Sequence, residues 1–138
     1  MTERRSVILL DLDHTLVHTT MGVQYPDYDL IPHDHMRIHI RPYVREFLHH
    51  LIRSSHIHEF GFWTCGTREY AEHVVKGLLR YANAPDWPMR ILLTRNDAVM
   101  TNGTYVKDLS LVRRRFNVDH LLLLDDSNVH LSIPSNVP

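Results

Sequence analysis

The run Val7-Ile8-Leu9-Leu10, leading directly into Asp11-Leu12-Asp13, constrains this chain more than any other stretch. Four successive aliphatic residues bounded by polar ones fit a strand buried on both faces of a parallel sheet, with no alternation between core and water. In open α/β sheets ligands collect outside the carboxyl ends of the strands, so Asp11 and Asp13 should project where a ligand binds. Side chains alternate with period two, which puts both carboxylates on one side of an extended segment. Such a pair can hold a divalent cation, divide into nucleophile and proton donor, or merely cap the following turn.

At 138 residues the chain is expected to form one domain, residues 1–138, large enough to fold without staples. A formal charge of -1 provides no overall field toward nucleic acid or anionic membrane. The single cysteine, Cys65, excludes an internal disulfide framework. No stretch has the length of a membrane span or a secretory signal. The expected compartment is therefore cytoplasmic or nuclear, with no direct nucleic-acid partner and no membrane. Histidine is frequent, with twelve in the chain, grouped around residues 33–39, 49–50 and 56–58. No cysteine accompanies these groups and their spacing fits no zinc-finger pattern, so they read as solvated or packed imidazoles.

Along the chain, residues 21–39 are polar and interrupted by Pro26 and Pro32, which predicts a loop or short hairpin ending in a brief edge strand at Ile38-His39-Ile40. Arg41-Pro42 opens a predicted helix with Pro42 at its first position and Val44, Phe47, Leu48, Leu51 and Ile52 on one face. Glu59-Phe60-Gly61-Phe62-Trp63-Thr64 predicts a second strand. The turn Thr64-Cys65-Gly66-Thr67 then leads to a helix capped by Thr67. Strand, small-residue turn and helix start make an anion site, to which Thr64 can add a hydroxyl. Cys65 has no base near it in sequence and reads as a packed thiol. Residues 90–95 are a third strand candidate. Asn102-Gly103 marks a hairpin turn within residues 97–106, and Asp108 is a plausible cap for the next helix, with Lys107 at its entrance. Arg113-Arg114-Arg115 reads as a solvated run.

Leu121-Leu122-Leu123-Leu124-Asp125-Asp126 repeats the opening design. If the two apolar strands are neighbours, Asp11, Asp13, Asp125 and Asp126 converge at one sheet edge. Four carboxylates in one place repel unless a cation holds them, and a hard oxygen donor set points to Mg²⁺.

Taken in order, Asp11-Leu12-Asp13-His14-Thr15, Thr64, Lys107 and Asp125-Asp126 resemble the four motifs of the haloacid dehalogenase superfamily of phosphotransferases. Residues 11–18, the segment from Arg41-Pro42 to Leu48, and Tyr105-Val106-Lys107-Asp108-Leu109 are more closely similar to the small C-terminal-domain phosphatases, the NLI-interacting-factor-like family. The resemblance covers nearly the whole chain from about Val7. It implies an α/β fold with a Rossmann-like, mainly parallel central sheet and helices on both faces. It further implies a Mg²⁺-dependent protein serine/threonine phosphatase working through an aspartyl-phosphate, with substrates such as the RNA polymerase II tail.

The implied catalytic residues are Asp11 as nucleophile, Asp13 as general acid and base, and Thr64 and Lys107 on the phosphoryl oxygens. Thr15, Cys65 and Arg95 would line or support the substrate site. Asp11, the backbone carbonyl of Asp13, Asp125 and Asp126 would hold the metal. The sequence departs from relatives at Cys65-Gly66, where Ala-Ser is common, and at Asp126-Ser127-Asn128, where Asn-Ser-Pro is common. It is also short at the C-terminus, where relatives continue into another strand and helix, so either it is a minimal form or a partner or a second copy covers the sheet edge. The segments between motifs leave no room for a large cap domain, which favours a phosphoprotein or phosphopeptide over a small metabolite. The rivals are a capless phosphatase for small-molecule or nucleic-acid phosphate, and a phosphatase-like adaptor without turnover.

Overall fold

In the computed structural model, residues 5–23, 25–126 and 131–132 are described. Four parallel strands form the central sheet: β1 (Ser6–Leu10), β5 (Glu59–Trp63), β6 (Leu92–Leu93) and β9 (His120–Leu124), in the order β6-β5-β1-β9. The opening strand is central and β9 is its neighbour, with Leu10 opposite Leu124. Alternate side chains of β1 build two cores. Leu10, Phe60 and Phe62 pack under helices α1 (Val44–Arg53) and α2 (Arg68–Tyr81). Val7, Leu9, Trp63 and Leu93 pack under α3 (Leu109–Phe116) on the opposite face. Leu9 and Leu10 are fully buried, worth about 1.5–3 kcal/mol each relative to exposure. Gly61 is a steric necessity, because a Cβ there would stand 2.5 Å from the Ile91 carbonyl oxygen.

The segment between β1 and α1 is more ordered than its composition predicts. It forms a three-stranded antiparallel sheet, β2 (Val17–Thr20), β3 (Asp29–Ile31) and β4 (Arg37–Ile40), with β4 in the middle. The strand expected at an edge is therefore central, and Ile38, His39 and Ile40 are buried. Pro42 lies outside α1, because Tyr43 takes a left-handed conformation with φ 69° as its N-cap. Thr67 does cap α2, accepting from the Tyr70 N–H. The third strand candidate shrinks to Leu92–Leu93, and a 3-10 turn at Arg95–Asp97 takes up the rest. The hairpin forms as β7 (Val99–Thr101) and β8 (Thr104–Asp108), turning through Asn102 and Gly103, both with positive φ. β8 carries Lys107 up to α3, which Asp108 caps through the N–H groups of Ser110 and Leu111. β10 (Leu131–Ser132) runs parallel to β8, with Leu131 opposite Lys107. Residues 1–4, 127–130 and 133–138, with the Ser127-Asn128 departure and the short C-terminal segment, lie outside the described residues.

Candidate functional site

The chain leaves β1 through a tight turn that sets the acids. The Leu12 carbonyl accepts from the N–H groups of Thr15, Leu16 and Val17, and His14 adopts a left-handed φ of 66°. The Asp11 N–H donates to the Leu124 carbonyl at 2.9 Å, tying this turn to the end of β9. Arg41 braces it from outside, donating from Nη1 to the carbonyl oxygens of His14 and Thr15.

Asp11, Asp125 and Asp126 bring one carboxylate oxygen each to within 4.8 Å of one another. Asp11 and the Asp125 side chain are buried, whereas Asp126 is exposed. The Lys107 ammonium, itself 1% exposed, donates to Asp11 Oδ1 at 3.1 Å and to Asp125 Oδ2 at 2.6 Å. A buried cation between two buried acids offsets the desolvation each would otherwise suffer. Burial pushes the Asp11 carboxyl up to about 6, Lys107 pulling it down and the Asp125 charge adding to the rise. This oxygen set matches what a hard divalent cation takes as ligands.

Asp13 projects elsewhere. Its Oδ1 accepts from the Tyr70 hydroxyl at 2.7 Å, and Tyr70 Oη is 2.7 Å from Thr19 Oγ1. Since Tyr70 gives its proton to Asp13, Thr19 donates to Tyr70. Burial, with the neighbouring Asp13, holds the Tyr70 phenol well above its usual range, so it remains a donor. The Asp13 carboxylate thus stands outside the three-acid group, and a ligand role for this residue would use its backbone carbonyl.

Thr64 follows β5 with its side chain buried, its hydroxyl accepting from the Gly66 N–H at 3.1 Å. Asp11, Asp13, His14, Thr64, Cys65, Gly66, Lys107 and Asp126 line one cavity of about 330 Å³. The residues expected from sequence to do chemistry therefore converge, from β1, β5, β8 and β9, at the carboxyl end of the sheet. Burial raises the Cys65 thiol, which suits a packed thiol more than a nucleophile. Thr15 and Arg95 do not line the cavity. The Thr15 hydroxyl is buried without a protein partner, and Arg95 donates from Nε to the Cys65 carbonyl at 3.0 Å, bracing the turn. Among the described residues no histidine joins a group spaced to hold a metal. Tyr70 and Thr19 escaped the sequence reading. Tyr70 shares the apolar face of α2, and its hydroxyl's target becomes visible once α2 is docked.

A family model described as NLI interacting factor-like phosphatase matches residues 6–137. The human carboxy-terminal domain RNA polymerase II polypeptide A small phosphatase 1 is 32% identical over 127 residues, covering 87% of this chain and 44% of that protein. A CTD small phosphatase-like protein 1 from Caenorhabditis elegans is 32% identical over 130 residues, covering 89% of this chain and 24% of that protein. The chain thus spans less than half the length of these relatives. The solved structure of the RNA polymerase II CTD phosphatase Fcp1 from fission yeast, bound to beryllium fluoride, superposes with a TM-score of 0.60 at 23% identity. It covers 92% of this chain and 38% of that one, so the two share the haloacid dehalogenase-like fold. No helix among the described residues is long and apolar enough to cross a membrane. With motifs, fold and family model agreeing over nearly its full length, the chain belongs to the NLI interacting factor-like phosphatase family.

Proposed function

We propose that this chain is a Mg²⁺-dependent protein serine/threonine phosphatase. It acts through an aspartyl-phosphate on the RNA polymerase II C-terminal domain or a similar phosphoprotein. The observation that carries this is the convergence of Asp11, Lys107 and Asp126 with the Thr64 turn in one open cavity, with Asp125 buried against Lys107. Asp11, Asp125, Asp126 and the Asp13 carbonyl would hold Mg²⁺, which supplies charge neutralisation for the phosphoryl oxygens.

Asp11 attacks phosphorus, forming an acyl-phosphate bond as the ester P–O bond breaks. Asp13, in its acid form, gives its proton to the leaving serine or threonine oxygen. Water then attacks the aspartyl-phosphate while Asp13 takes a proton from it, regenerating Asp11 and releasing phosphate. Splitting the hydrolysis in this way replaces one very slow displacement with two easier ones. Lys107 and the Thr64 turn bind the phosphoryl oxygens, and preorganised donors are worth most in such a partly desolvated site. The Tyr70 hydroxyl, held by Thr19, fixes one oxygen of Asp13 and leaves the other to carry the proton.

The three-stranded β2-β4-β3 sheet replaces any large lid among the described residues, and an open site suits a phosphorylated segment of protein. Residues 1–138 form one domain in this reading, working in the cytoplasm or nucleus, with no direct nucleic-acid or membrane partner. A second copy would cover the outer edge of β9, where Leu122 is 55% exposed. The test is Mg²⁺-dependent release of phosphate from an aryl phosphate and from phosphoserine peptides by wild type and Asp11→Asn. Wild type should turn over both, and Asp11→Asn should lose about four orders of magnitude, as removal of a covalent nucleophile does. Full activity in Asp11→Asn would overturn the mechanism.

A further inference from the structure

Arg95 holds the Thr64-Cys65-Gly66 turn twice. Its backbone N–H donates to the Gly66 carbonyl at 3.2 Å and its Nε to the Cys65 carbonyl at 3.0 Å. Across a trans peptide the N–H points opposite to the C=O, and among the described residues no peptide bond is cis. With both carbonyls turned to Arg95, the N–H groups of Gly66 and Thr67 are turned the other way. The Gly66 N–H accordingly meets the Thr64 hydroxyl, and Thr64, Cys65 and Gly66 line the catalytic cavity while Arg95 does not.

Arg95 is fixed in its turn by Asp97. The Asp97 N–H donates to the Thr94 carbonyl at 3.0 Å, and its Oδ2 accepts from the Thr94 N–H at 2.9 Å, so one residue closes the 3-10 turn in both directions. The buried Trp63 indole anchors the same carbonyl to the end of β5, donating from Nε1 at 3.2 Å. The other carboxylate oxygen, Oδ1, accepts from Arg115 Nη1 on α3 at 2.7 Å. The Asp97 side chain is sheltered, at 15% exposed, and Arg115 covers it from solvent. α3 begins directly after Lys107 and Asp108 and carries Arg115 in its last turn. The Arg95 guanidinium also stands 5.4 Å from the ring centroid of Tyr105, on β8 two residues before Lys107. The turn at Thr64 and the strand that delivers Lys107 thus share one support, built from Arg95, Asp97 and Arg115.

The geometry points to Asp97 as a positioning residue for phosphoryl binding, a proposal that rests on the phosphatase reading above. Its carboxylate, clamped by Arg115, holds Arg95 so that the Cys65 and Gly66 carbonyls stay turned away from the cavity. Without that carboxylate the Thr94 N–H loses its partner and the short 3-10 turn loses its closure. Arg95 is then no longer held against the two carbonyls. Gly66 can take either sign of φ, so the peptides on its two sides rotate at little cost. A carbonyl oxygen turned into the cavity repels a phosphate that an N–H would bind. Asp97 itself touches no reacting atom, and its effect passes through the turn.

The experiment titrates inorganic phosphate into the full chain with Mg²⁺, following the Gly66 and Thr67 amide resonances, and measures kcat and KM for an aryl phosphate in parallel. Asp97→Ala should weaken phosphate binding and raise KM about tenfold, as loss of a hydrogen-bonded carboxylate does, with kcat within about twofold of wild type. Arg115→Ala and Asp97→Asn should each give about threefold, since both keep the closure of the turn and lose only the exposed ion pair. The double variant Asp97→Ala/Arg115→Ala should bind phosphate no more weakly than Asp97→Ala, because the two side chains act through one support. Thermal unfolding separates this from a purely structural role. A lower Tm with phosphate affinity and KM unchanged in all the variants would overturn the proposal, as would additive losses in the double variant. Should Asp97→Ala not fold, Arg115→Ala and Asp97→Asn decide it by the same two readouts. If the amides respond to phosphate and the response weakens in these variants, but wild type hydrolyses no phosphate ester, the positioning role stands and the phosphatase reading falls.

Discussion

β1 and β9 are written in nearly the same residues, an aliphatic run ending in acids, and the fold uses them differently. β1 lies between β5 and β9, and Val7, Leu9 and Leu10 are all but fully buried. β9 pairs with β1 on one side, and Leu122 is 55% exposed. At their ends the contrast continues. After β1 a tight turn separates Asp11, facing Lys107, from Asp13, facing Tyr70. After β9 two consecutive acids point one inward to Lys107 and one toward solvent. A run of leucines thus specifies a strand, and the number of its neighbours specifies how much that strand contributes.

The largest effect should come from the residue that joins the two ends. Lys107→Met leaves two buried carboxylates facing one another, which should cost about 3–5 kcal/mol. Thermal unfolding should show a matching fall in Tm, and phosphatase activity should disappear with it. An unchanged Tm would mean that the two strand ends are not coupled through this lysine.

Next come the strands themselves. Leu10→Ala removes a fully buried side chain and should cost about 2–5 kcal/mol in denaturant unfolding. Leu122→Ala, on the open strand, should stay within about 0.5 kcal/mol. Equal losses would show that β9 is covered in solution, as a second copy or a further segment would cover it.

A smaller, more selective effect tests the end of β1. Tyr70→Phe removes the hydroxyl that donates to Asp13 and keeps the ring on α2. It should lower kcat about tenfold for an alkyl phosphate, whose leaving group needs a proton, and much less for a nitrophenyl phosphate. Uniform loss across leaving groups would assign Tyr70 to packing alone.

The smallest effect lies at the other end of β1, where Arg5 holds Glu59 through two contacts of 2.5 and 3.0 Å. The hydrogen bond from Arg5 holds the Glu59 carboxyl below its usual range. Its contribution is therefore present above the unfolded-state value and is lost as pH falls through the folded one. Both side chains are about one-third exposed, so the pair is worth less than about 1 kcal/mol. Between pH 7 and pH 3, Tm should fall slightly less steeply for Glu59→Gln than for wild type.

Much of the site was legible because its residues sit at positions that local chemistry marks. Asp11, Asp13, Thr64, Lys107, Asp125 and Asp126 each follow an apolar strand or border a helix start, where side chains must leave the core. Thr67 and Asp108 were readable as caps for the same reason. Elsewhere the local signal misled. Residues 21–39 carry prolines and aspartates, yet β4 runs through the middle of a sheet, because Ile38 and Ile40 find a core and His39 finds two partners. Pro42 suggested a helix start, but Tyr43 turns left-handed first. The Asn128 and C-terminal expectations fall on undescribed residues.

By itself the sequence determined that two apolar strands end in acids, that a helix starts after Thr64-Cys65-Gly66-Thr67, and that a lysine borders another helix. These follow from burial, period and capping, which act over a few residues. Tertiary structure alone decided that Lys107 spans Asp11 and Asp125 and that Asp13 turns to Tyr70. These pairs lie 18 to 96 residues apart in the chain for Lys107 and 57 for Tyr70. Contacts over such separations depend on how strands are ordered and helices docked, and no local propensity encodes that.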